Sequence, residues 1–150
     1  MKRQFLSLLL LPMLGEWMVS SSASAASDGR LTVAINGLRN QNGTVCFSLF
    51  SSEQGFPNQS DRALASRCVQ AKEASVAATF DQLAPGQYAV AVIHDSNKDG
   101  KLNTGFLGIP REGFGFSRNL KIGTRAPRFR DTAISVTGNT QIQIDLKYLL

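Results

Sequence analysis

The sequence lacks the residues and motifs from which most catalytic and metal centres are built. Its 150 residues include a single histidine, His94, whereas zinc and copper sites usually draw on several. It has no G-x-S-x-G nucleophile turn, no G-K-[ST] phosphate loop and no supported Ser-His-Asp arrangement. Its two cysteines do not resemble a redox motif. These absences weigh against an enzyme and favour a binding or structural protein.

A long apolar run is also missing. A basic start precedes an apolar segment at residues 5–14, but Glu16 interrupts it well short of the ~20 residues that a spanning helix needs. Ala23-Ser24-Ala25 then offers the small residues that a signal peptidase reads. We therefore expect residues 1–25 to be a cleaved signal peptide and residues 26–150 to be one domain without a transmembrane segment. That domain is expected to be exported, and so periplasmic or secreted.

The charge balance is only mildly basic. The 16 basic and 11 acidic residues become 14 and 10 without the predicted signal peptide, which leaves a net charge of +4. Such an excess does not indicate a nucleic-acid partner, and export makes one less plausible still. The most basic run comprises Arg118, Lys121, Arg125, Arg128 and Arg130. It indicates either a solvated loop or a surface for an anionic envelope polysaccharide or lipid head group.

Cys46 and Cys68 both lie in the predicted mature domain. An even number of cysteines in an oxidising compartment favours a disulfide. The alternative is two buried free thiols that act as small apolar residues. Either interpretation makes the pair structural.

Short apolar segments that alternate with polar residues predict an all-β domain. We expect seven strands, with hairpins formed by the first pair, 31–36 and 44–50, and by the last pair, 132–136 and 141–146. Frequent turns and little helical periodicity favour a Greek-key β-sandwich of the Ig-like or prealbumin-like kind, with one long ordered loop.

The segment Phe80–Tyr88, FDQLAPGQY, predicts a tight turn between two strands, with a positive φ at Gly86. It resembles a hairpin that recurs in prealbumin-like and carboxypeptidase-regulatory β-sandwich domains. The next strand, Tyr88–Ile93, is apolar on both faces and must therefore be covered on both. We expect the second cover to come from the Phe- and Gly-rich loop that follows.

That loop begins with a partial calcium-binding pattern. Residues 95–103, DSNKDGKLN, match the first nine places of a D-x-[DN]-x-[DN]-G calcium loop. Calcium prefers oxygen ligands, and alternate positions of such a loop supply them. The candidate ligands are Asp95, Asn97, Asp99, the carbonyl of Lys101, and Asn103.

The second half of the calcium pattern is missing. Phe106 stands at the twelfth place, where a bidentate Glu is expected, and Glu112 is the nearest substitute. The pattern therefore predicts weak binding, with a dissociation constant of about 10⁻⁴ to 10⁻³ M. The alternative is an ordinary β-turn, which uses the same Asn, Asp and Gly residues. Calcium is the one cofactor that the sequence suggests.

Four further residues of this region are candidates for a site. His94 ends a strand and is interpreted as a structural residue, a metal ligand, or the general base of a hydrolase that uses a loop carboxylate. If Phe106, Phe114 and Phe116 are exposed, they form a binding patch and favour an envelope- or carbohydrate-binding module that also uses the basic run. If they are buried, they cap the sandwich.

A set of motifs in the chain carries a family resemblance: Phe80–Tyr88, the strand that ends in His94-Asp95, Gly100-Lys101-Leu102, Phe106–Pro110, Glu112-Gly113, Gly115–Ser117, Pro127 and Phe129. With these motifs the mature chain resembles, from the first hairpin to Tyr148, a bacterial exported family catalogued as domain of unknown function 2141. The resemblance implies an exported β-sandwich and no established activity, so it assigns no catalytic residue.

Overall fold

The computed structural model describes residues 28–72, 76–121, 123 and 125–150, and the predicted signal peptide lies outside them. The described chain is all-β, with eight strands and one short helix. These are β1 (Gly29–Asn36), β2 (Thr44–Phe50), β3 (Ala65–Gln70), β4 (Val76–Leu83), β5 (Gly86–Asp95), β6 (Gly113–Phe116), α1 (Phe129–Thr132), β7 (Ile134–Val136) and β8 (Asn139–Asp145). Single 3₁₀ turns lie at Ser60–Arg62, Phe106–Gly108 and Ser117–Asn119.

The strands form two sheets. The first sheet has the order β4-β1-β8, in which β1 runs antiparallel to β4 and parallel to β8. The second sheet has the order β3-β2-β5-β6 and is antiparallel throughout. The short strand β7 pairs with the first residues of β5. Strand β5 is therefore the central strand of the second sheet, and the site described below begins where it ends.

The main core lies between the two sheets. The alternation in β1 and β2 puts every second side chain inside, as predicted, and burying an aliphatic side chain stabilises the fold by about 1.5–3 kcal/mol. The side chains of these two strands that are fully buried in this core are Leu31, Val33, Ile35, Val45, Phe47 and Leu49.

The prediction of seven strands is wrong by one, because β6 forms inside the stretch that was predicted to be a loop. In β6 the two phenylalanines lie on one face and the two glycines on the other. A Cβ on Gly115 would lie 2.6 Å from the Ile144 side chain, and that gap is too small for any side chain. Gly115, which as part of a Gly-rich stretch suggested a loop, is instead required for close packing against β8.

The predicted hairpins are also wrong. β1 and β2 lie in different sheets, as do β4 and β5, and β7 does not pair with β8. The turn after Leu83 carries the chain from one sheet to the other, and the left-handed φ of 58° falls on Gln82 and not on Gly86. A short turn with Pro and Gly can reverse the chain within a sheet or across the core, so local composition does not identify the partner strand.

The outer face of the second sheet carries a disulfide and a second apolar cluster. Cys46 and Cys68 are directly opposite in β2 and β3 and form a disulfide. Since they are 22 residues apart, the loss of chain entropy in the unfolded state stabilises the fold by about 3 kcal/mol. The cluster covers the outer face of β5 and comprises Phe50, Ala91, Phe114 and Phe116, with Phe56, Ala63, Leu102 and Phe129 at its edge.

Candidate functional site

The connection from β5 to β6, residues 96–112, is anchored at its start by Asp95. This carboxylate is 2% exposed and accepts hydrogen bonds from two backbone N–H groups of the loop, those of Asp99 at 3.1 Å and Gly100 at 2.8 Å. Gly100 has a φ of 76°, which a residue with a side chain rarely adopts. Asp95 therefore folds the predicted calcium loop back over the end of its own strand.

Glu112 anchors the other end of the connection. It is 8% exposed, and its two oxygens accept the backbone N–H groups of Ser96 and Asn103, each at 2.9 Å. A buried carboxylate is stable only when hydrogen bonds compensate for its lost hydration, and here both oxygens are satisfied. Glu112 thus ties both ends of the predicted calcium loop to the start of β6.

The side chains of Asn97, Asp99 and Asn103 meet at one point. The Asn103 amide nitrogen donates to Asn97 Oδ1 at 3.2 Å and to Asp99 Oδ2 at 2.9 Å, and the Asn97 amide donates to the same Asp99 oxygen at 3.0 Å. The Lys101 backbone N–H donates to the other Asp99 oxygen at 2.9 Å. These hydrogen bonds lower the pKa of the Asp99 carboxyl below 3.8, and the bond from Asn103 makes the largest contribution.

The structure therefore brings together the side chains of three predicted calcium ligands, with Asp95 at the base of the same loop. Within the described part of the chain, no group of three His, Cys, Asp or Glu side chains could hold a metal ion. A cation here would have to use amide and main-chain oxygens beside the two aspartates, which suits calcium better than zinc. The calcium site remains a prediction.

His94 is sealed inside the protein. It is fully buried, with Nε2 2.8 Å from the Asn42 carbonyl and Nδ1 2.7 Å from the Tyr148 hydroxyl. A carbonyl can only accept, so Nε2 donates to Asn42. A ring that carries its hydrogen on Nε2 accepts at Nδ1, so the Tyr148 hydroxyl donates to His94 Nδ1 while it accepts the Arg39 backbone N–H at 3.2 Å. Both ring nitrogens are thus occupied, and neither Asp95 nor Glu112 is among their partners.

Tyr148 completes this network, although no catalytic motif in the sequence includes it. Partial burial raises the pKa of the Tyr148 hydroxyl above 10.0, so the group keeps the proton that it donates to His94. Its ring lies over Gly113, where an added Cβ would come within 2.5 Å of two ring carbons. The only sequence signal was that Tyr148 ends the stretch of family resemblance.

The three phenylalanines of the stretch have two different roles. Phe114 and Phe116 are 4% and 9% exposed and belong to the outer cluster, where the Phe56 ring packs against Phe116 at 6.1 Å between centroids. The prediction that loop aromatics cover the outer face of β5 is correct for these two. Phe56, which comes from the connection between β2 and β3, also lies in this cluster, and no pattern in the sequence predicted this contact.

Phe106, in contrast, is 83% exposed, and its neighbour Leu107 is 81% exposed. They occupy the turn of a short hairpin in which Thr104 bridges to Pro110 and the Gly105 N–H donates to the Ile109 carbonyl at 2.7 Å. We call residues 104–110 the tip hairpin. Its turn has a left-handed residue, Leu107, with a φ of 59°. The geometry therefore holds two adjacent apolar side chains in solvent.

The basic run does not form one surface of free charge. Arg128 bonds the Asp131 carboxylate at 2.9 Å, and the second oxygen lies 3.9 Å from Arg130. Arg128 is the chief cause of the lowered pKa of the Asp131 carboxyl. Arg118 and Arg125 are exposed.

Comparisons with known proteins give a family but no activity. No helix among the described residues has the length and apolar character needed to cross a membrane. No curated protein and no solved structure matches the chain. A family model described as "uncharacterized protein conserved in bacteria (DUF2141)" matches residues 33–144. Because that match spans both sheets and the whole stretch from His94 to Asn119, the chain belongs to the DUF2141 family.

Proposed function

We propose that this chain is an exported, non-enzymatic binding module whose contact element is the tip hairpin. The observation that carries the proposal is the 83% and 81% exposure of Phe106 and Leu107 on a turn whose base is fixed. Large apolar side chains held in water are unfavourable unless a partner covers them. The carboxylates of Asp95 and Glu112 hold the base of the connection, so the tip is presented on a preorganised support.

The burial and the hydrogen bonds of His94 support a non-enzymatic role. A general base needs an accessible nitrogen within reach of a substrate proton. His94 is fully buried, and both of its nitrogens are engaged by Asn42 and Tyr148. The hydrolase alternative therefore gains no support from its proposed base.

Export is part of the proposal and rests on the predicted signal peptide at residues 1–25. The Cys46–Cys68 disulfide agrees with an oxidising compartment, because such bonds are rare where thiols are kept reduced. The protein is then periplasmic in a Gram-negative host and otherwise secreted or at the cell surface. Mass spectrometry of the protein recovered after export tests this, with Ala26 expected as the first residue.

Weak calcium binding by residues 95–103 is the second part of the proposal. Its support is the meeting of Asn97, Asp99 and Asn103 at one point, where the Asn103 amide already faces two oxygens. A rotation of that amide would present a third oxygen to a cation. The ion would stiffen the base of the connection that carries the tip hairpin.

Binding is tested by co-sedimentation of the exported protein with bacterial envelope fragments. The protein is expected in the pellet, and the Phe106→Ser/Leu107→Ser double variant in the supernatant. Leu64→Ser is the matched control, because Leu64 is 55% exposed and lies outside the tip hairpin. Sedimentation that is unchanged in the double variant would refute the tip as the contact element.

A further inference from the structure

The exposed apolar side chains of the protein are concentrated in one place. Among the described residues, six large apolar side chains are exposed, and five of them lie in the tip hairpin or at residues 149–150, the sixth being Leu64. The two segments adjoin, since Leu150 Cδ1 lies 3.5 Å from the position of a Cβ on Gly105. We call the five side chains the apolar patch: Phe106, Leu107, Ile109, Leu149 and Leu150.

Two arginines border the apolar patch. The Arg111 Nε atom lies 2.8 Å from the position of a Cβ on Gly105, so its side chain covers the base of the tip hairpin. Arg39 donates to the Leu150 carbonyl, and its guanidinium carbon lies 4.2 Å from the Tyr148 ring centroid. Neither arginine forms a salt bridge with a carboxylate in the described chain.

The neighbouring loop adds positive charge. Lys98 and Lys101 are exposed there, and Asp99 is the one exposed acid of the described segment 96–111. The other two acids of the region, Asp95 and Glu112, are buried and engaged by backbone N–H groups. The apolar patch is therefore surrounded by an excess of cationic groups.

We propose that the apolar patch inserts into the head-group region of a membrane that carries anionic phospholipids, an inference that rests on the proposed binding function. Phe106 and Leu107 enter the boundary between head groups and acyl chains. Arg39, Arg111 and the two lysines contact phosphate groups. Apolar insertion combined with attraction between basic side chains and anionic lipids is the usual basis of reversible membrane-surface binding.

The shape of the apolar patch favours a bilayer over a protein partner. A stable protein interface buries about 800 Å² on each partner and needs a matching surface. Here the most exposed residues are two neighbours at the turn of a short hairpin, and Arg111 lies at its base. Such a projection offers little flat area, whereas a fluid head-group layer can accept it without a preformed complementary pocket.

The test uses vesicles of phosphatidylglycerol and phosphatidylcholine, with pure phosphatidylcholine vesicles for comparison. Trp17, the only tryptophan in the sequence, lies in the predicted signal peptide and is expected to be removed on export. Exported protein that carries Phe106→Trp therefore has its one tryptophan at the tip, and its fluorescence reports only on the tip. The expected result is a blue shift of its fluorescence and quenching by brominated lipid, both with the anionic vesicles and both reduced by 0.5 M salt.

Binding strength is then compared between variants of the native sequence. The Phe106→Ser/Leu107→Ser variant should lower the vesicle partition coefficient by at least about a hundredfold, since full burial of each of the two side chains favours transfer by about tenfold or more. Arg111→Gln should lower it by about fivefold. Leu64→Ser and Arg125→Gln, which change exposed residues outside the apolar patch, should leave it unchanged.

The outcomes separate this inference from the function on which it rests. Tip-dependent sedimentation with envelope fragments but no binding to anionic vesicles would overturn the lipid inference and leave the binding module standing, with a protein or polysaccharide as its partner. A failure of both experiments would overturn both proposals. Vesicle binding that the double variant retains in full would overturn the assignment to the apolar patch.

Discussion

The Tyr148 hydroxyl lies 2.7 Å from Nδ1 of His94, and this contact joins the segment after β8 to the end of β5. Residue 94 is in the second sheet, whereas β8 belongs to the first. The hydrogen bond therefore links the two sheets at the end of the molecule from which the connection 96–112 emerges. The contact explains why the single histidine is buried. It also explains why the residue opposite His94 in β6 is a glycine, Gly113, because the Tyr148 ring occupies the space that a side chain would need.

Tyr148→Phe tests the importance of this hydrogen bond. The substitution leaves the buried His94 Nδ1 without a donor, so we expect the free energy of unfolding to fall by about 1–3 kcal/mol in urea denaturation. Tyr88→Phe is the matched control, because Tyr88 donates to the carbonyl of the exposed Ala84, which water can satisfy instead. Its cost should be about 0.5–1 kcal/mol. Equal losses in the two variants would contradict the buried role of the Tyr148 hydroxyl.

Gly113→Ala tests the packing of the Tyr148 ring on β6. The new methyl group would come within 2.5 Å of the ring, so we expect a loss of at least about 1–3 kcal/mol in urea denaturation. In Gly86→Ala the nearest atoms are 3.8 Å away and φ is not left-handed, so stability should be unchanged or slightly higher. In a Tyr148→Ala background the cost of Gly113→Ala should shrink. A cost of Gly113→Ala that stays the same in this background would contradict a clash with the Tyr148 ring.

The inward faces of the strands were predictable from the sequence, but their partners were not. The alternation in β2 identified Val45, Phe47 and Leu49 as core, and all three are fully buried. The same alternation cannot tell whether β2 pairs with β1 or with β5, because both arrangements bury the same side chains. Long-range packing decides the pairing, as it does for the parallel contact between β1 and β8.

In the candidate site, the sequence showed which residue types are present but not which of these side chains are buried and which are exposed. The stretch 94–119 contains three phenylalanines in similar Gly-rich surroundings, yet only Phe106 faces solvent. Phe114 and Phe116 are buried because Gly113 and Gly115, which alternate with them, let β6 join the sheet edge. Phe106 lies at the turn of the tip hairpin and belongs to neither core cluster. Nothing in its immediate neighbours in sequence distinguishes it.

The pKa of the Asp99 carboxyl should lie below 3.8 because of three hydrogen bonds. The bond from Asn103 has the largest effect on this pKa. A carboxyl whose folded pKa is depressed stabilises the fold above its unfolded pKa, and this stabilisation is lost as the pH falls through the folded value. Carbon-13 NMR titration of the carboxyl in chelator should give a value below 3.8. Asn103→Ala should raise it more than Asn97→Ala does. The reverse order would contradict the geometry of the loop.

Calcium should raise the stability of the protein through the loop at residues 95–103. An ion present at about 100 times its dissociation constant adds about 2.7 kcal/mol to the free energy of unfolding, which for a weak site of this kind requires about 10 to 100 mM calcium. We expect a higher melting temperature in calcium than in chelator. The shift should disappear in Asp99→Asn, which removes a charged ligand but keeps an acceptor for the Lys101 N–H. Asp131→Asn, which also neutralises a partly exposed aspartate but lies outside the loop, should keep the full shift.

Melting curves of the native protein that coincide in calcium and chelator would show that the pattern in the sequence is an ordinary turn. In that case Asp95 and Glu112 hold the connection to the sheet without an ion.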